Sequence, residues 1–111
     1  MVSKQDWKLF QEKVPQWQER YMDELVKDYI ALLQSDQCSS KKMYVLEKRM
    51  KEDKQSSGVV LSYRKADVEI DLLRMLREEV ITLDDLHDFS KELQDEIKEV
   101  VHGLCKNRGC K

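Results

Sequence analysis

From Trp7 onward, apolar residues recur at Phe10, Val14, Trp17, Tyr21, Leu25, Tyr29 and Leu32 or Leu33. Steps of three and four keep these positions on one face of an α-helix, so the pattern predicts a long first helix of about eight turns. Pro15 falls inside it. Its ring removes an N–H and disfavours the α conformation at Val14, yet the stripe keeps its phase on both sides, so a kink at Pro15 is expected rather than a break. The stretch "SDQCSS", Ser35 to Ser40, collects turn and N-cap residues and marks the end of the helix.

A second helix is expected from about Ser40 to Lys54, with Met43, Leu46 and Met50 inward and Glu47 paired with Lys51 one turn on. Gly58 in "QSSG" ends it. A third is expected from Val59 to about Glu79, with Leu61, Val68, Leu72, Met75 and Leu76 inward. Ile70, Leu73 and Val80 widen that face, which predicts a central helix covered on more than one side. In "ITLDDLHDFSKEL", Thr82 and Asp85 approximate a capping box, and Ile81 and Leu86 occupy the staple positions, so a fourth helix is expected to begin at Thr82. Asp84, Asp85 and Asp88 then lie where the helix dipole favours anions by about 0.3–1 kcal/mol each. Leu86, Phe89 or Ser90, Leu93, Ile97, Val100 and Leu104 continue the apolar stripe, with His87 on its flank.

Composition narrows the picture. A chain of 111 residues, 41% hydrophobic and 38% charged, has material for one core, read as a single helical domain over 1–104 with a flexible tail over 105–111. Three Gly and one Pro suit a chain that is mostly helix. An odd count of three Cys, with no apolar leader after "MVSKQDW", predicts free thiols and a cytoplasmic location. No apolar run approaches the roughly 20 residues needed to span a bilayer, so no membrane insertion is expected. Net charge is -2, which exerts no global pull on nucleic acid or anionic lipid. Residues 41–65 are nonetheless strongly basic and residues 66–99 strongly acidic, and these two segments are expected to pack side by side.

Candidate chemistry is sparse. Asp84, His87 and Asp88 lack a further convergent metal ligand, and the spacing of His102, Cys105 and Cys110 matches no structural zinc pattern. No Gly-rich phosphate loop, HExxH or nucleophile elbow is present. No catalytic, metal or cofactor residue is therefore assigned, and the protein is read as a non-enzyme. Trp7, Phe10, Trp17 and Tyr21 concentrate aromatic area on the first helix. With Asp84, Asp85 and Asp88 they form the candidate set for a protein partner or a second copy. Lys41, Lys42, Lys48, Arg49, Arg64 and Lys65, with Tyr44 and Tyr63 able to stack, form the alternative set for nucleic acid.

The stretches "DWKLFQEKVPQWQERYMDEL", "VLEKRMKEDK" followed by "GVVL", and "VITLDDLHDFSKEL" resemble a family of small uncharacterised bacterial helical proteins. The likeness spans roughly Asp6 to Lys98 and falls on core, proline, glycine and capping positions, so it implies a fold and no activity. Some members carry a multidrug-transporter label, which a chain without a spanning segment does not fit. The tail from Cys105 to Lys111 departs from the family pattern. The reading is an all-α compact bundle of four main helices, the first kinked at Pro15. Its expected function is that of a noncatalytic protein-interaction module, regulatory or inhibitory toward a larger complex such as a nuclease or defence complex; a nucleic-acid-binding regulator is the alternative.

Overall fold

The computed structural model describes residues 2–107, and the side chains up to residue 103. Four main helices carry the chain: α1 over Lys4–Leu33, α2 over Ser39–Asp53, α3 over Val68–Arg77 and α4 over Lys91–Asn107. Short 3-10 turns over Lys65–Asp67 and Leu83–Leu86 precede α3 and α4, and no strand occurs among the described residues. Helix α1 runs through Pro15 without interruption. It is capped by Ser3, whose hydroxyl accepts the Asp6 N–H at 3.1 Å.

The core is built from one end of α1 and the second half of the chain. Phe10, Val14 and Trp17 of α1 meet Val68, Leu72 and Met75 of α3, the loop residues Val80, Ile81, Leu86 and Phe89, and Leu93 and Ile97 of α4. Beyond Gln18 nothing in α1 is buried, and α2 contributes no buried residue. The radius of gyration is accordingly 16.9 Å, against about 13 Å for a compact domain of this length. The chain forms a packed base, from which the second half of α1 and the antiparallel α2 continue as a helical arm.

Several expected boundaries move. The third helix begins at Val68 and not at Val59. Tyr63 takes a left-handed backbone (φ 57), which no helix can pass through, and β-branched Val59 and Val60 favour the extended form. Asp67 then fixes the turn by accepting from the Arg64 guanidinium at 2.8 Å and the Ser62 hydroxyl at 3.1 Å. Ile70, assigned to the widened inner face, is exposed. Helix α3 ends in a Schellman motif, in which the Val80 N–H reaches the Met75 carbonyl at 2.9 Å and Glu79 holds the left-handed position (φ 61). At the fourth helix, the capping box forms as read, with the Asp85 carboxylate accepting the Thr82 N–H at 2.8 Å. It caps only the 3-10 turn. The α-helix itself starts at Lys91, more than two turns later, where the Ser90 hydroxyl accepts the Leu93 N–H at 3.3 Å. Helix α4 continues through Gly103 to Asn107, three residues into the segment assigned to the tail. Arg108 to Lys111 and the side chains of Cys105 and Cys110 lie outside the description.

Candidate functional site

The first helix meets the loop before α4 through three polar contacts spaced seven residues apart. Asp6, itself buried, accepts from the Ser90 N–H at 2.9 Å and from its hydroxyl at 2.6 Å. Lys13 pairs with Asp88 at 3.0 Å, and Arg20 forms a forked pair with Asp85 at 3.0 and 3.2 Å. Burial pushes the Asp85 carboxyl up, but the guanidinium and the Thr82 N–H outweigh it and hold the group below the usual range. Lys13 holds Asp88 low in the same direction. Two of the three acids in the candidate partner set are thus engaged within the chain, and Asp84 is exposed and forms no such pair among the described residues. His87 is also exposed, its Nδ1 at 2.7 Å from the Asp84 carbonyl and its Nε2 at 3.1 Å from Asp88. Among the described residues no three His, Cys, Asp or Glu converge as metal ligands.

The aromatic candidates separate by depth. Phe10 and Trp17 are in the core, and Trp7 and Tyr21 pack against it, so the set proposed for partner binding closes the base instead of facing solvent. Trp7 stacks on Phe10 at 6.0 Å and Trp17 lies 6.2 Å from Phe89. Tyr21 covers Gly58, where even a methyl group would stand 2.2 Å from the ring. This junction joins arm to base. Gln18 donates to the Ser57 carbonyl at 3.0 Å, the Ser57 N–H donates to Glu78 at 2.8 Å, and Arg74 bonds both Glu78 and the Gln55 carbonyl.

Apolar side chains remain exposed singly on the base, at Val60, Ile70 and Val100, and in a group on the arm. Its two helices touch through a half-buried seam of Tyr21, Leu25, Tyr29 and Leu32 against Lys42, Val45, Arg49 and Asp53. Within it the Tyr29 hydroxyl donates to Asp53 at 2.5 Å, Arg49 lies over the Tyr29 ring, and Lys42 reaches the Leu33 carbonyl at 2.8 Å. Outside the seam Val26, Ile30, Leu33, Met43 and Met50 are exposed, Met43 to 72%. Met43 and Met50, expected inward, line with Leu46, Lys51 and Lys54 a shallow groove of about 350 Å³. Glu47 does pair with Lys51, at 3.5 Å. The available signal was a second apolar stripe, Met22, Val26, Ile30 and Leu33, which α1 carries only in the arm, where the base has Gln11, Pro15 and Gln18.

The basic candidates are not gathered into one patch. Lys41, Lys42, Lys48 and Arg49 lie on α2, opposite residues 28–33 of α1, with Arg49 3.9 Å from Asp28. Arg64 and Lys65 adjoin Tyr63, whose ring meets Phe10 at the other end of α1. At 1.5 Å per residue the two groups stand about 27 Å or more apart along that helix. Within the acidic segment Asp85 and Asp88 pair with α1, Asp67 pairs with Arg64 of the basic segment and Glu78 with Arg74, and among the described residues no ion pair joins it to α2. Tyr44 is 68% exposed on the outer side of α2, between Lys41 and Lys48. No described helix is long and apolar enough to cross a membrane. Comparison with family models, curated proteins and solved structures finds no match.

Proposed function

We propose that the protein is a noncatalytic interaction module in which the base is a scaffold and the α1–α2 arm is the docking element. One observation carries the reading: Val26, Ile30, Leu33, Met43 and Met50 form exposed apolar surface on a regular, hydrogen-bonded helical pair, where water contact is unfavourable and a partner would relieve it. A regulatory or inhibitory role toward a larger complex fits such an element. A bend at Pro15 belongs to the same reading, since it would set the direction of the arm relative to the base. The resemblance to small bacterial helical proteins agrees with a fold of this kind and adds no activity.

The test is affinity capture from a host lysate, with and without nuclease, using the natural chain and an Ile30→Asp/Met43→Asp variant. Capture of a protein that survives nuclease and is lost with the variant supports the reading. Equal capture by both chains overturns it. A second reading, binding of nucleic acid, is favoured by exposed Tyr44 between Lys41 and Lys48. It predicts retention that nuclease abolishes, that falls steeply with salt, and that Lys48→Glu weakens.

A further inference from the structure

We infer that the apolar side of the arm is covered by the same side of a second copy of this chain, giving a dimer in which each α1 lies over the other copy's α2. The inference rests on the docking role of the arm and names its occupant. Tyr21, Leu25, Tyr29 and Leu32 face α2, while Lys42, Val45, Arg49 and Asp53 face α1. One residue further on in each helix is a rotation of about 100°. In α1 that step reaches Met22, Val26, Ile30 and Leu33, and in α2 it reaches Met43, Leu46, Met50 and Lys54. Because the helices are antiparallel, equal rotation carries both stripes to the same side of the arm. Apart from Lys54 at its edge, they make one continuous apolar face.

Its size and its charges fit a second copy. Residues 22–33 cover about 18 Å of α1, and two helices 8–10 Å apart present a face about 20 Å across, several hundred Å² in all. That is roughly half of the about 800 Å² per partner in a standard interface, leaving the charged rims to supply the rest. On the rims, Asp23 of α1 and Lys54 of α2 take no part in the ion pairs among the described residues. Gln18 meets Ser57 and Arg49 meets Tyr29, so Lys54 stands at about the level of Asp23. In a two-fold pairing that lays α1 of one copy over α2 of the other, Asp23 of each faces Lys54 of the other. The α1 rim offers an acid where the α2 rim offers a base, a complementarity no single copy can use.

Sedimentation velocity on the full chain tests this. The expected result is a concentration-dependent dimer, with Ile30→Asp/Met43→Asp raising the dimer Kd at least about 30-fold while far-ultraviolet circular dichroism stays unchanged. Asp23→Lys and Lys54→Asp singly should each raise Kd about 3- to 10-fold, and the double exchange should return it to within about threefold of the natural chain. A chain that stays monomeric at high micromolar concentration overturns the inference, as does a dimer indifferent to Ile30→Asp/Met43→Asp. If the natural chain is monomeric but that variant loses a protein captured by the natural chain, only the second-copy occupant fails. If capture is also unchanged, the docking role fails with it.

Discussion

The two halves of α1 share one apolar stripe, to which the arm adds a second at Met22, Val26, Ile30 and Leu33, and they meet opposite fates. In the base, Phe10, Val14 and Trp17 are buried beneath α3 and α4. In the arm, Leu25, Tyr29 and Leu32 are half covered by a single helix, and Val26, Ile30 and Leu33 are left about half exposed among the described residues. The base also holds itself with a buried polar contact, Asp6 to Ser90, and two partly exposed ion pairs, Lys13 to Asp88 and Arg20 to Asp85. The arm's counterparts are mostly open to solvent. Apolar periodicity specifies a face; whether that face is satisfied depends on how many elements reach it.

Truncations should break the comparison most sharply. Phe10→Ala, at a fully buried site, should cost about 3–5 kcal/mol in denaturant unfolding. Met43→Ala, on the arm, should stay within about 0.5 kcal/mol. A cost above about 2 kcal/mol for Met43→Ala would mean that the arm is part of the core. Asp6→Ala should come next, at about 1–3 kcal/mol, because it leaves the Ser90 N–H and hydroxyl without their buried acceptor.

The junction between the two regions gives effects of intermediate size and opposite sign. Gly58→Ala places a methyl against the Tyr21 ring and should destabilise by about 1–3 kcal/mol, with arm amides losing hydrogen-exchange protection before base amides. Ser57→Ala should do the reverse. The Ser57 hydroxyl is fully buried beside Glu78 and makes no hydrogen bond of good geometry among the described residues, so its removal should be neutral or stabilising by up to about 1 kcal/mol. Loss of more than about 1 kcal/mol would show that the hydroxyl has a partner in solution.

Much of the base was legible in the sequence. The core positions of α1, the Leu72 and Met75 pair, the Thr82–Asp85 box and the Leu93 and Ile97 stripe all follow from period and capping chemistry. What escaped has physical causes. Left-handed Tyr63 shortens α3, and no propensity marks a tyrosine for that conformation. The acids of "DDLHD" have a local reason at a helix start, and that reason hides their second role as partners of Lys13 and Arg20. Seven-residue spacing of Asp6, Lys13 and Arg20 on one helix face was the available signal. The arm escaped because Met43 and Met50 repeat like core residues and nothing local says that no third helix arrives.

The gentlest contrast is in pH, and the two regions should respond at opposite ends of the scale. In the base, Asp85 has its carboxyl held low, so its contribution is present above the unfolded value of about 4 and is lost as pH falls through the folded value. The half-exposed Arg20 limits that contribution to about 0.2–1 kcal/mol. In the arm, burial and the hydrogen bond to Asp53 push Tyr29 from 10.0 up to about 12. A raised acid of this kind favours the folded arm below pH 10, and the advantage disappears as pH rises through 12. Acid should therefore loosen the Arg20–Asp85 clamp while leaving the Tyr29–Asp53 bond to the alkaline limb. Tyrosinate absorbance should show a late titration step near 12 that Tyr29→Phe removes, and the same substitution should leave the acid limb unchanged. If Tyr29→Phe removes only tyrosine absorbance that titrates near the ordinary 10.0, the seam between α1 and α2 is open in solution, and the arm is two loosely tethered helices instead of a preformed docking element.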